Sequence, residues 1–445
     1  MNEMKISETN VEMNLIWKES TSFATLQDGE MNMVCIFPEA KDQKLHGFGG
    51  AFTEAAAHIY RSMPDKAKEK VLEALFGTDG LLLNMGRIHM NSCDFSLGNY
   101  TYIEEGDTSL DTFSIEHDRK EIIPFIHDAM GTSDDDIEFM ASVWSPPAFM
   151  KTNGEMNNGG SLKPEYKDVW AKYYAKFIEA YAVNGINIRY FNVQNEPAAV
   201  QEWDSCLYSA EEEAVFVRDH LYPAIDEAGL NSTVKIFVWD HNKERAYERF
   251  RDSLNVKGAK ELIAGCSVHW YTGDHFENLR LIHDRFPDKE IFFTEGCVEY
   301  SRYADATDTD QAERYAHDII GNLNNGCSAV FDWNLMLDSK GGPNHVGNFC
   351  AAPLMYDEKI NAVKKQLFYY YIGQFSRYIK RGAVRIAASS YSDKAEVTSF
   401  VNPDGERVVV LLNRSDEDIP VILREDQYGV EMTISAHSIR TCRYY

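Results

Sequence analysis

The feature that most constrains this chain is a row of eight short apolar runs, at 47–52, 81–90, 137–144, 188–194, 234–239, 264–270, 291–294 and 329–333, separated by segments of helical periodicity. Most of the runs are continuous rather than alternating, which suits strands covered on both faces. Between them, 64–76, 164–184, 210–228, 243–254 and 308–324 place apolar residues at helical spacing, and Asn184-Gly185 and Ala228-Gly229 supply stop signals. Strands and helices in this alternation predict an α/β chain whose eight parallel strands close into a (β/α)₈ TIM barrel, not an open doubly wound sheet. Gly47-Phe-Gly-Gly also has the wrong glycine spacing to cradle a dinucleotide.

Outside these runs the apolar period shortens to two. Parts of 10–36 and 383–445 alternate, and Phe400-Val-Asn-Pro-Asp-Gly-Glu-Arg-Val-Val predicts a hairpin about Asp404-Gly405. The expected organisation is a barrel over 46–376 and a β-sandwich side domain assembled from both ends of the chain, 1–45 and 377–445. A length of 445 residues accommodates that pair.

Charge narrows the partners. Lys+Arg of 44 against Asp+Glu of 70 leaves −26, which repels phosphate backbones and anionic membrane surfaces, whereas a neutral sugar suffers no such penalty. Nucleic acid is therefore not expected. The eight cysteines are scattered without a C-x-x-C pair, so free thiols are expected and structural zinc is not. The first residues lack a basic stretch followed by an apolar core, and no run of 18 apolar residues occurs, which predicts a cytoplasmic protein with no stable membrane anchor. An oligomer is left open.

In a barrel of this kind the chemistry is carried by residues that end each strand. Here those ends are Thr53-Glu54, Arg87-Ile-His89, Trp144-Ser-Pro-Pro, Gln194-Asn195-Glu196-Pro197, Trp239-Asp240-His241-Asn242, His269-Trp270-Tyr271, Glu295 and Trp333-Asn334. Glycoside hydrolysis needs two carboxyl groups flanking the scissile bond, one protonated and one ionised. Glu196 and Glu295, ending strands four and seven, are the candidates for general acid/base and nucleophile. A lone glutamate more often caps a helix or forms a surface ion pair, but two that directly follow buried runs on separate strands reverse those odds. A spacing of about 5 to 5.5 Å between them would give retention through a covalent glycosyl-enzyme, and roughly 6.5 to 9.5 Å inversion; retention is expected.

Glu295 must be ionised in the free enzyme, with Arg87, His269 or Tyr271 supplying hydrogen bonds, while Asp240 and His241 support the site. Glu196 must hold a proton near neutrality, so burial and the neighbouring charge are expected to raise its pKa to about 6, as in the lysozyme acid. Trp144, Trp203, Tyr271 and Trp333 offer flat surfaces for a pyranose, although each is individually more often core. His89, His241, His269 and Asp240 offer metal-ligand chemistry, but without a His-x-His or His-Glu-x-x-His spacing no metal or other cofactor is expected.

At these residues the sequence resembles glycoside hydrolase family 30, the glucocerebrosidase-like enzymes, over nearly its whole length. The stretches that carry the resemblance are Gly47-Phe-Gly-Gly-Ala-Phe-Thr-Glu, Ser92-Cys-Asp-Phe-Ser, Ser145-Pro-Pro-Ala-Phe-Met-Lys, Asn195-Glu-Pro, His269-Trp-Tyr, Thr294-Glu-Gly-Cys, Asp332-Trp-Asn-Leu and Gly341-Gly-Pro-Asn. The resemblance implies a retaining β-glycosidase with Glu196 as acid/base and Glu295 as nucleophile. It places sugar contacts on Glu54, Trp144, Asn195, Trp333 and Asn348, sets His269 and Tyr271 beside the nucleophile, and assigns Arg87 to the active-site network. Position 54 is Glu where the glucosylceramidases have Asp, and position 345 is His where they have Trp. The substrate expected is a terminal β-D-glucoside, glycolipid or otherwise. A β-xylosidase, β-fucosidase or β-1,6-glucanase is the alternative within the family, and a catalytically silent carbohydrate-binding protein the alternative outside it.

Overall fold

The computed structural model describes residues 3–11, 17–25 and 32–445. Eight parallel strands close into a barrel: β1 Gly47–Ala51, β2 Met85–Met90, β3 Glu138–Val143, β4 Ile188–Asn192, β5 Lys235–Asn242, β6 Ile263–His269, β7 Glu290–Glu295 and β8 Cys327–Asn334. Each matches one of the eight apolar runs, and helices including Asp65–Phe76, Lys167–Val183, Ala246–Asn255 and Asp308–Asn324 wrap the outside. Their apolar faces pack on the strands in one continuous core. β1 and β2 run so close together that a Cβ on Gly49 would stand 2.1 Å from the Met85 carbonyl oxygen, which is why this strand is built from glycines.

The differences in detail have local causes. The second run begins at 81, but 81–84 is a loop: Leu81 and Leu83 are apolar because they pack beneath Asp65–Phe76, whose carbonyls Ala74 and Leu75 receive their N–H groups. β5 continues to Asn242 through Asp240 and His241, polar residues buried inside the mouth. The helix expected over 210–228 is instead Ala210–Phe216 and Tyr222–Glu227 joined by a π-turn at Val217–Leu221, where Pro223 cannot continue the backbone ladder.

Both ends of the chain join one ten-stranded sheet. Met4–Asn10 pairs with Ser438–Tyr444, which pairs with Arg407–Asn413, and Met33–Lys44 lies between Val384–Ser390 and Ile419–Glu425. The sheet folds over itself, so that Val409 and Leu411 enter its own core while Val408, Val410 and Leu412 face the barrel. The period of two seen in the sequence is the consequence of these two covered faces. Asn402 and Glu406 close the expected hairpin, with Gly405 in the left-handed region. Within 10–36, residues 12–16 and 26–31 lie outside the described residues. All eight cysteines are free thiols. Among the described residues no helix is long and apolar enough to cross a membrane.

Candidate active site

The C-terminal ends of the strands surround a cavity of about 340 Å³, lined by Asp94, Trp144, Asn195, Glu196, Gln201, Trp203, His241, Tyr271, Glu295, Trp333 and Asn348 among others. That volume lies at the lower end of small-ligand pockets. Two backbone irregularities aim its side chains. Between Val238 and His241 the register of β5 against β6 slips, and between Val268 and His269 that of β6 against β7. A slip of this kind inserts a residue and turns the next side chain toward the mouth. Trp239, Asp240 and Glu196 take φ of 77°, 42° and 47°, left-handed values that cost a non-glycine residue and are maintained only where the surroundings fix them. They are fixed here by Glu196 N–H donating to the Asp240 carbonyl at 2.9 Å and Trp239 N–H to Glu213 Oε1 at 3.1 Å.

Arg87 is fully buried and organises the floor of the cavity. Its guanidinium donates to Glu295 Oε2 at 2.6 Å, Asp240 Oδ2 at 2.8 Å, Asn195 Oδ1 at 2.9 Å and Ser142 Oγ at 3.0 Å. It also lies 4.8 and 5.3 Å from the ring centroids of Trp144 and Trp333, which stack on each other. Burial works against its charge, but Asp240 and Glu295 outweigh that cost and hold its pKa above the usual value. The other Glu295 oxygen accepts from the Tyr271 hydroxyl at 2.8 Å. Both oxygens of this carboxylate thus have donors suited to an anion.

His269 lies beneath the cavity and links the two glutamates. Its Nδ1 is 3.3 Å from Glu196 Oε1 and 4.0 Å from Glu295 Oε1, while Nε2 faces Asp240 Oδ1 at 3.1 Å. Burial disfavours its charge, but Glu295, Asp240 and Glu196 overcome this and raise the imidazole to about 9. Glu196 is affected oppositely. Burial pushes its carboxyl up, but His241 at 3.5 Å and His269 together hold it well below the usual range, and Gln201 donates to Oε2 at 2.9 Å. This corrects the expectation of a raised acid near 6: the two imidazoles favour the ionised form of Glu196.

Of the residues expected here, Glu196, Glu295, Trp144, Asn195, Tyr271, Trp333, Asn348 and His241 line the cavity, and Arg87, Asp240 and His269 stand directly behind it. Trp203 is also on the wall. Glu54 is not. Its carboxylate accepts from Leu97 N–H at 3.0 Å and meets His117 at 2.6 Å, so it braces the loop that follows β2 instead of facing a sugar. His89 is likewise committed, donating from Nδ1 to the Asn91 carbonyl at 2.6 Å and accepting the Glu54 N–H at 3.0 Å. Asp94 and Gln201, absent from the expected site, face the cavity from loops after β2 and β4. Burial and the charges of Glu295, Asp204 and Glu196 raise Asp94 well above the usual carboxylate range. The signal for Asp94 was in Ser92-Cys-Asp-Phe-Ser, but the strand-end rule stops short of it.

With this geometry in view, comparison with known proteins is decisive. Residues 45–379 match the glycosyl hydrolase family 30 TIM-barrel domain, and 382–442 the family 30 β-sandwich domain. The chain belongs to glycosyl hydrolase family 30. It is 35% identical to the lysosomal acid glucosylceramidase of Mus musculus over 427 residues, spanning 92% of this chain and 82% of that one. It is 26% identical to an endo-1,6-β-D-glucanase of Neurospora crassa, spanning 86% and 82%. The crystal structure of SrfJ from Salmonella typhimurium superposes with a TM-score of 0.96 at 37% identity, covering 100% of this chain and 99% of that one. As a family 30 member the chain is a glycoside hydrolase with a β-glycosidase site. Three side chains of that site, Glu196, His241 and His269, also bring donor atoms within 4.8 Å of one another, a metal-capable grouping invisible to sequence spacing because it comes from three strand ends.

Proposed function

We propose that this protein is a retaining β-glucosidase of glucosylceramidase type, with Glu295 as nucleophile and Glu196 as acid/base. The observation that carries this is one imidazole, His269, within 4.0 Å of an oxygen of both glutamates at the floor of a cavity of about 340 Å³. The carboxylates thereby face the same bound ring. Double displacement is the proposed route, which needs the shorter carboxylate spacing.

In the first step a Glu295 oxygen bonds to the anomeric carbon as the glycosidic C–O bond breaks. The proton for the leaving oxygen passes from His269 Nδ1 to Glu196 and from Glu196 to that oxygen. Substrate burial favours this transfer, because excluding water penalises the separated imidazolium and carboxylate more than the neutral pair. In the second step Glu196, again ionised, takes a proton from water as the water attacks the anomeric carbon and releases Glu295, and that proton then returns to His269 Nδ1. Arg87 and Tyr271 hold the Glu295 carboxylate in its attacking orientation, and Asp94 meets a sugar hydroxyl. Trp144 and Trp333 provide apolar area for the ring, and Asn195 and Asn348 meet its hydroxyls.

Glucose as the glycone, whether in a glycolipid or another β-glucoside, is supported by the 35% identity to a glucosylceramidase. The endo-1,6-β-D-glucanase relative supports a second reading, β-1,6-glucan as substrate. A 2-fluoro-β-glucoside with an activated leaving group should add one sugar mass to the peptide carrying Glu295, and proton NMR should show the β-anomer as first product. Labelling of another residue, or an α-anomer first, overturns the mechanism. Cleavage of an aryl β-xyloside with the β-glucoside ignored overturns the sugar assignment, and preference for a β-1,6-linked oligomer favours the second reading.

A further inference from the structure

Glu196, His241 and His269 offer one carboxylate oxygen and two imidazole nitrogens, the donor set of many zinc sites. Around a tetrahedral ion with bonds of about 2.0 to 2.1 Å, adjacent donors stand roughly 3.3 Å apart. Here Glu196 Oε1 lies 3.3 Å from His269 Nδ1 and 3.5 Å from His241 Nδ1, so two edges of such a tetrahedron are already formed.

Two further observations point toward a ligand. His241 is 8% exposed, yet its Nδ1 has no hydrogen-bond partner and faces Glu196. His269 in turn rests its Nε2 on Asp240, whose Oδ1 also accepts from Thr294 at 2.6 Å. A carboxylate behind one imidazole nitrogen orients the other toward a metal and raises its basicity. Glu196 and His241 face the cavity, which Glu295 and Asp94 also line.

We propose that Glu196, His241 and His269 form an inhibitory binding site for a borderline divalent cation such as Zn²⁺. Binding leaves Glu196 without a proton to donate and sets the ion where the leaving oxygen would lie, so ion and substrate exclude each other. That inhibitory consequence rests on Glu196 being the acid/base; the binding itself does not.

Calorimetric titration of the full-length protein with ZnCl₂ is expected to show one ion per chain, with affinity lowered at least about tenfold in His241→Ala and in His269→Ala. His241→Asn, which keeps a polar side chain of similar reach, decides the matter if His269→Ala does not fold. Co²⁺ as a probe should give visible d–d bands of a nitrogen and oxygen site, without the near-ultraviolet thiolate band that capture by cysteines would produce. Zn²⁺ should also compete with an aryl β-glucoside. Absence of binding at millimolar Zn²⁺, an affinity indifferent to His241, or a thiolate spectrum would overturn the site. Calorimetry and the Co²⁺ spectrum need no turnover, so loss of the hydrolase assignment would leave them unchanged.

Discussion

The two ends of the barrel solve burial in opposite ways. At the N-terminal end Met85, Met140, Tyr190, Phe237, Phe292 and Phe331 fill the interior as an apolar plug. The polar groups there stay partly exposed, as in the His46–Glu290 pair at 2.8 Å. At the C-terminal end Arg87, Asp240 and His269 are buried without exposure, with Glu196 and Glu295 nearly so, on backbone that is left-handed at three non-glycine positions. Packing is inexpensive and non-specific. A buried ion network survives only through reciprocal pairing and returns function rather than stability. Substitutions in the apolar plug should therefore cost stability and spare chemistry, and those at the mouth should do the reverse.

The largest separation is expected for the glutamates. Glu295→Gln and Glu196→Gln should each lose at least about a thousandfold in turnover of an aryl β-glucoside, given what covalent and acid catalysis contribute. Thermal melts should stay within a few degrees of the parent, because Arg87 keeps Asp240 as a partner when Glu295 is neutralised. Azide should restore turnover to Glu196→Ala on an activated substrate by replacing the attacking water. Unchanged turnover in Glu295→Gln would end the proposed mechanism.

The converse test is Phe292→Ala. This ring is fully buried and lies 4.6 to 5.2 Å from the rings of Phe237, Tyr190 and His46. Its removal should cost about 3 to 5 kcal/mol in urea unfolding, as large aromatic truncations do. Turnover per folded molecule should remain near that of the parent; a hundredfold fall would show that the plug and the mouth are mechanically coupled.

The same contrast governs what could be read from the sequence. The floor and walls were legible because continuous apolar runs have one physical meaning, burial on both faces, and each of the eight runs matches a barrel strand. The catalytic candidates were legible because Glu196 and Glu295 directly follow such runs. What the sequence hid depends on contacts between strand ends distant in the chain. Glu54 looked like a sugar ligand beside its strand, but His117, 63 residues away, claims its carboxylate. Glu196 looked like a carboxyl raised by burial, until His241 and His269 arrived from β5 and β6 to hold its charge. Neither pairing leaves a local pattern.

A smaller loss should follow from Tyr271→Phe. The Glu295 Oε1 atom would lose its hydroxyl donor while Arg87 still holds Oε2. A hydrogen bond to a charged group is worth about 1.5 to 3 kcal/mol, so turnover should drop roughly 10- to 100-fold, mostly in kcat, with the fold intact. An effect only on KM would assign the hydroxyl to substrate binding instead.

The pH dependence of stability offers the finest distinction. His269 is held at about 9 in the folded protein, above the ordinary 6.5 of the unfolded chain. Its contribution is thus fully present below pH 6.5 and is lost as pH rises through about 9. Between these values the unfolded chain binds fewer protons than the native one at this residue, and stability should fall by up to about 1.4 kcal/mol per pH unit. The alkaline limb of kcat/KM should fall as pH rises through about 9, because the departing proton is the one delivered to the leaving group. His269→Asn should flatten this part of the stability profile, whereas Phe292→Ala should lower the curve by the same amount at every pH and leave its slope unchanged. A His269→Asn profile with the same slope as the parent from pH 7 to 9 would mean that the proton does not reside on His269.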